Sequence, residues 1–248
     1  MGEVRHRIRT RLFVADPLHP GAEVMLLGDD AHHVLRVLRL SAGDSLRLFN
    51  ARHGEWAAQI TMHSKRHATL QVTEQLRPQS ASRGPVLAFA PIRRQRMDWL
   101  LEKATELGAA HLVPVITAHT QMKDLRVDRA LAVTREAAQQ CERLDLPEVS
   151  TVRSLEAFLE GWPAGQPLLF CDETGADRPA PAVLSAMPDG AVPAVLVGPE
   201  GGFDADERAA VRAHPAACAL DLGANILRAE TAGIAALALL AAWRGSKD

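Results

Sequence analysis

Two loops near the C-terminus carry residue types at spacings that could do chemistry. The first, Gly198-Pro199-Glu200-Gly201-Gly202-Phe203, follows the apolar run Val192 to Val197. Its glycines and rigid proline let the backbone turn tightly and approach a ligand that a Cβ would block. Asp204 and Glu207 then give a D-x-x-E helix start resembling a capping box. Such an acidic start repels phosphate, and no nucleotide-binding glycine fingerprint or P-loop occurs. The bland alternative is a tight loop without a ligand. The second loop runs Leu222-Gly223-Ala224-Asn225-Ile226-Leu227-Arg228-Ala229-Glu230-Thr231-Ala232. Gly223 ends a strand, Ile226 and Leu227 can plug a core, and Arg228 stands at the mouth of the next helix. A cation there opposes the helix dipole at a cost of about 0.3–1 kcal/mol, which points Arg228 toward a site rather than helix stability. Glu230 suits that dipole and reads equally as a first-turn stabiliser or a functional group.

Elsewhere the candidates are cations and histidines. Arg5, Arg7, Arg9 and Arg11 form a short basic arm that either lies along RNA phosphates or is a solvated terminus. Arg93, Arg94 and Arg96 precede a helix, as a charged face or as phosphate contacts. His63 and His67 have i, i+4 spacing, but Lys65 and Arg66 between them suggest a basic turn, and no metal is expected. Cys141, Cys171 and Cys218 fit neither a disulfide framework nor a zinc site and are expected to be reduced and buried.

The elements that must position these residues divide into two grammars. The chain has 248 residues, 47% hydrophobic and 23% charged, which fits one large or two modest folded domains. Aromatic residues make up 4% with no Tyr, which weighs against a surface stacking many bases on rings. The longest apolar run, Ala232 to Trp243, is well short of the ~20 residues that span a bilayer. No apolar stretch follows the basic N-terminus as in a secretory signal, so a cytoplasmic location is expected. Short strands are predicted at Leu12 to Val14, Val24 to Leu27, Ser45 to Phe49, Glu55 to Thr61 and Thr69 to Thr73, with a helix capped by Asp29 or Asp30 between them. Their spacing suggests a small β-barrel over residues 1–76. After the polar stretch Leu76 to Pro85, apolar strands alternate with helices. An α/β domain with a mostly parallel sheet is therefore predicted for 84–248, binding ligands at the carboxyl ends of its strands. A long helix is expected over about Val127 to Leu144 and a last one over Ala229 to Trp243, apolar on every side and so in need of cover, which a twofold partner would supply.

The tandem of GPEGGF and LGANILRAETA resembles the SPOUT superfamily of RNA methyltransferases, and more closely its 16S ribosomal RNA (uracil-N3) methyltransferases. Further matches are His33 with Val37-Leu38-Arg39-Leu40 and Gly43-Asp44, Arg96-Met97-Asp98 running into Glu102 to Gly108, and Gln140-Cys141-Glu142-Arg143 before Pro147-Glu148. The resemblance spans essentially the whole chain. It implies a PUA-like barrel for RNA, then an α/β domain whose end is threaded through a trefoil knot, working as a homodimer on 16S ribosomal RNA, free or in the small subunit. It implies S-adenosylmethionine as cofactor, held by Phe170, Gly198, Pro199, Glu200, Gly201, Gly202, Leu222, Gly223, Ile226, Leu227 and Arg228. RNA contacts are implied at Arg9, Arg11, Arg39, Arg93, Arg94 and Arg96. Two departures stand out: Asn225 occupies a position that is often Arg, and Thr117 to Lys123 lacks the usual Arg-Ser pair.

The chemistry so implied asks little of the protein. It must bind the methyl donor, hold N3 of uracil in line and help remove the N3 proton. Arg228 would stabilise negative charge on the ring carbonyls, or clamp phosphate. Glu200 would orient the cofactor or accept the proton. Ribose 2′-O methylation and a non-catalytic RNA-binding role are the rival readings.

Overall fold

A computed structural model describes residues 8, 10–79, 83–174 and 178–245. Arg5, Arg7 and Arg9 of the expected arm lie outside them. The chain forms two compact units, one within 1–81 joined by 138–145, the other within 82–137 and 146–248.

In the first unit, β1 (Arg11–Phe13), β2 (Glu23–Leu26), β3 (Ser45–Asn50), β4 (Gly54–His63) and β5 (Ala68–Arg77) form one sheet in the order β1-β3-β4-β5-β2. Only β1 and β3 run parallel. Alternation sets the faces: in β2, Val24 and Leu26 are buried while Glu23 and Met25 are exposed. The inward set, with Leu46, Leu48, Ile60, Leu70 and Val72, closes on Ala31 and Val34. These last two come from α1 (Gly28–His32), which continues as a π-helical turn over His33–Val37. Asp29 and Asp30 sit in its first turn rather than capping it, since Leu27 is the N-cap. Arg39 follows in the left-handed region at φ 58°, its side chain exposed.

The expectation that Arg11 lies along RNA phosphates is overturned. Arg11 is only 6% exposed. Its Nε donates to Glu55 Oε1 at 2.5 Å, and its Nη1 and Nη2 to the carbonyls of Ala138 and Arg143. The guanidinium also lies 3.4 Å from the centre of the Phe49 ring. Arg77 donates to Glu55 Oε2 at 2.9 Å, and Arg47 bonds Glu142 at 2.8 Å. Burial lowers Arg11 to about 10. Burial would raise the Glu55 carboxyl, but the hydrogen bonds from Arg77 and Arg11 outweigh it and hold it below its ordinary value. These bonds explain why 138–145, which the sequence groups with the second domain, packs with the first unit.

The second unit is a parallel sheet of β6 (Val86–Phe89), β7 (His111–Ile116), β8 (Glu148–Val149), β10 (Leu168–Cys171), β11 (Ala194–Val197) and β12 (Ala217–Ala219), in the order β12-β10-β11-β6-β7-β8, with β9 (Arg153–Ser154) beside β7. Successive strand residues face opposite layers. Leu87, Phe89, Leu169 and Val195 pack with α2 (Arg94–Glu106), and with α5 (Ala180–Ser185) and α7 (Ala229–Gly245). Val86, Ala88, Leu168, Phe170 and Leu196 pack under α4 (Leu155–Gly161) and α6 (Ala205–Ala213). β9 and α4 are not expected from the sequence, because both are short and offer few periods to read. α3 (Val127–Gln140) stops short of the expected Leu144. β12 pairs with β10 rather than with β11, a crossing that fits the knotted threading. Cys171 is buried and its thiol pushed up to about 12 by that burial, while Cys141 is exposed, contrary to expectation. α7 buries Ala232, Gly233, Ala236, Leu237 and Leu240 but leaves Ala238, Ala241 and Ala242 exposed, so the chain alone does not cover it all round.

Candidate active site

A cavity of about 650 Å³ opens at the carboxyl ends of β10, β11 and β12. Three loops line it: Cys171 to Thr174 after β10, Gly198 to Glu200 with Gly202 after β11, and Leu220 to Arg228 leading into α7.

The glycine-rich loop is shaped from beneath. A Cβ on Gly198 would lie 2.7 Å from the ring of Phe203, so the phenylalanine closing the motif folds back under its first residue. Phe203 in turn meets Phe170 edge-on, with ring centres 5.0 Å apart. Gly202 donates to Pro199 O at 3.0 Å and has φ 68°, where a side chain is strained. The capping box forms as the sequence implies: Asp204 accepts from Glu207 N at 2.8 Å, and Glu207 accepts from Asp204 N at 3.0 Å. Glu207 also accepts from Ala118 N, and His119 Nδ1 lies 3.0 Å from the carbonyl oxygen of Gly201, so the loop after β7 braces this one.

The loop after β10 is fixed by charge. Asp172 is buried and bonded to Arg212 at 2.8 Å, to Arg208 at 3.2 Å and to Thr174. Burial would raise its pKa, but the bonds from Arg212 and Thr174 prevail and hold it below the usual carboxylate value. Glu173 pairs with Arg208 as well. Both arginines belong to α6, which tethers this wall to the helix that follows the glycine loop.

Of the sequence-based candidates, Gly198, Pro199, Glu200, Gly202, Leu222, Gly223, Ile226, Leu227 and Arg228 come together on the cavity wall. Phe170 does not: it is fully buried on the opposite face of the sheet, and the neighbouring Cys171 and Asp172 line the wall instead. Gly201 also turns away, since a Cβ there would meet His119 Cβ at 3.0 Å. Arg96, expected among the RNA contacts, reaches the cavity from α2, 3.8 Å from Glu200 and 3.6 Å from Glu230. Arg93 and Arg94 are exposed at the start of that helix. Arg228 is exposed, and no carboxylate pairs with it among the described residues. Cys171 ends the strand expected to touch the cofactor, whereas Asp172 to Thr174, Asp221 and His119 are not among the sequence-based candidates. The strand-end rule could have found the first group; pairing across loops hides His119. Among the described residues no three His, Cys, Asp or Glu gather as a metal site, and no helix is long and apolar enough to cross a membrane.

The cavity suits a nucleoside carrying a cationic side chain. Leu220, Leu222, Leu227 and Ala232 offer apolar wall, Glu200 and Asp221 offer negative charge, and a Cβ on Gly223 would enter open space. Residues 82–241 match the RNA methyltransferase domain family, and residues 26–73 match the RNA methyltransferase PUA domain. A ribosomal RNA small subunit methyltransferase E from Rickettsia conorii is 31% identical over 92% of this chain and 93% of its own. The chain belongs to this methyltransferase family. A namesake from Synechocystis is 32% identical over 92% of this chain and 76% of its own. Among solved structures, a methyltransferase of Legionella pneumophila in complex with bound S-adenosylmethionine superposes with a TM-score of 0.83 at 29% identity, covering 95% of this chain and 98% of that one. A ribosomal RNA small subunit methyltransferase E from Neisseria gonorrhoeae bound to S-adenosyl methionine gives 0.83 at 26% identity, covering 93% and 96%.

Proposed function

We propose that the loops around this cavity hold S-adenosylmethionine and transfer its methyl group to N3 of a uridine in 16S ribosomal RNA. The chain is an S-adenosylmethionine-dependent methyltransferase of small-subunit ribosomal RNA. The observation that carries the reading is the convergence of Gly198 to Glu200 and Gly202 with Ile226 to Arg228 on one cavity at the strand ends.

When bound, the cofactor supplies a methyl group already activated on a sulfonium. The glycine loop and Leu222 to Leu227 bind and orient it, with backbone and apolar contacts on either side. Arg228, without a carboxylate partner among the described residues and exposed at the cavity, faces the incoming base and stabilises the charge that spreads over the uracil carbonyls as the N3 proton leaves. Glu200 has two roles open to it, as cofactor contact or as proton acceptor. Residues 1–76 present the RNA, with Arg39 exposed for contact, and residues 84–248 carry catalysis. Arg93 and Arg94 extend the basic approach to α2. The apolar outer residues of α7 are covered by a second copy in a homodimer, and the RNA substrate places the enzyme in the cytoplasm.

Mass spectrometry of nucleosides from small-subunit RNA of a deletion strain tests the activity. Loss of 3-methyluridine, restored by this chain, is expected; undiminished 3-methyluridine overturns it. Light scattering is expected to give a dimer at micromolar concentration, and a monomer would refute the pairing.

A further inference from the structure

The cavity holds a charge cluster whose geometry is unfinished. Glu230, in the first turn of α7, has a side chain only 5% exposed. Its Oε2 is buried with no hydrogen-bond partner among the described residues, and its Oε1 stands 3.6 Å from Arg96 Nε, too far for a hydrogen bond. Arg96 Nη1 is 3.8 Å from Glu200 Oε1, also beyond that range. One guanidinium therefore lies between two carboxylates, held by their field and locked by neither. Its location is fixed by packing: a Cβ on Gly233 would approach Leu100 to 3.1 Å, so α7 presses on α2 there. One turn earlier on each helix, the same contact brings Glu230 beside Arg96. Arg96 and Arg228, which has no carboxylate partner among the described residues, are the two cations that line the cavity, where Asn225 leaves the last loop with a single cation.

We propose that Glu230 is a positioning residue that aims Arg96 into the cavity as a second cation, which shares with Arg228 the negative charge developing on the uracil ring. The proposal deepens the uracil-N3 reading and rests on it. A buried carboxylate that lacks a full set of partners is a poor structural device, but it suits a cation that must keep donors free for a ligand. Charge on the ring oxygens then draws the Arg96 N–H groups, while Glu230 keeps the guanidinium from swinging out to solvent. The other charged groups nearby are already engaged: Asp172 and Glu173 by α6, and Asp221 by the Gly223 N–H.

The test compares Arg96→Ala, Arg96→Lys and Glu230→Gln in single-turnover methylation of RNA made with uridine or with 5-fluorouridine, whose N3 is more acidic. With uridine, Arg96→Ala should lose about 10²-fold, the scale of one oriented donor. Arg96→Lys should recover part of that, and Glu230→Gln should lose about tenfold, with cofactor affinity by calorimetry nearly unchanged in all three. With 5-fluorouridine these losses should shrink, because the anion forms more readily. Binding provides a readout apart from turnover: at alkaline pH the wild type should hold the 5-fluorouridine RNA more tightly than the uridine RNA, and Arg96→Ala should lose that preference. Equal losses with both RNAs, a defect confined to RNA affinity and cured at saturating substrate, or a Glu230→Gln enzyme matching wild type would each overturn the proposal. If Arg96→Ala misfolds, Glu230→Gln keeps the side-chain shape and decides the matter. Wild-type product lacking 3-methyluridine would instead sink the underlying reading.

Discussion

Gly202→Ala is expected to weaken S-adenosylmethionine binding strongly. At φ 68° an L side chain is strained, at a cost of about 1–2 kcal/mol. The new Cβ would also stand 2.2 Å from Glu173 Oε1, and the carboxylate must leave Arg208 to make room. That pair is partly exposed, so its loss adds about 0.2–1 kcal/mol. The sum, about 1–3 kcal/mol, is relieved in the free protein by letting the glycine loop and the loop after β10 part. Because both loops line the cavity, binding must bring them back, and the cost then appears in affinity. At about 1.4 kcal/mol per tenfold, Kd should rise about 5- to 140-fold. Gly201→Ala is the control: its φ is ordinary and its Cβ meets the His119 side chain, with Cβ at 3.0 Å and Cγ at 3.5 Å, so a loss below about threefold is expected from local adjustment. Isothermal titration with the cofactor reads both. An unchanged Kd for Gly202→Ala, or a larger effect at Gly201, would refute the loop-contact reasoning.

Arg228→Ala should lower single-turnover methylation by about 10²–10³-fold with cofactor affinity kept; recovery of the full rate at saturating RNA would reassign it to phosphate clamping. Glu55→Gln leaves the Arg11, Arg47 and Arg77 guanidiniums without their shared buried carboxylate, at a cost of about 3–5 kcal/mol. Hydrogen exchange of β3 to β5 should then speed up by at least about 10²-fold while cofactor binding persists, and unaltered protection would show the cluster to be dispensable. Glu55 and Asp172 are both held below their ordinary pKa values, so the folded chain binds fewer protons than the unfolded one around pH 4. Their contribution is present above that range and is lost as pH falls through the lowered values; acid unfolding monitored by circular dichroism should shift toward neutral pH in Asp172→Asn, and an unshifted midpoint would contradict the linkage.

The sequence by itself determined the element grammar and the chemistry of the two loops. Period-two strands before residue 78, alternating strands and helices after it, and the GPEGGF and ILR-x-ETA motifs are local signals, written in residues adjacent along the chain. The capping box of Asp204 and Glu207 formed for the same reason, since its partners are three residues apart. Long-range partners decided what local pattern could not. Arg11 looks like one of four alternating surface cations, yet tertiary structure buries it against Glu55, 44 residues away, and against carbonyls more than 120 residues away. Phe170 and Cys171 are neighbours in one strand, and only the pleat, with α6 on one side and the cavity on the other, decides which of them meets a ligand. Arg96 reads as another helix-start cation until α7 packs on α2 at Gly233 and brings Glu230 beside it. A side chain's type and spacing limit its chemistry; which surface it faces is settled by packing between elements far apart in the chain.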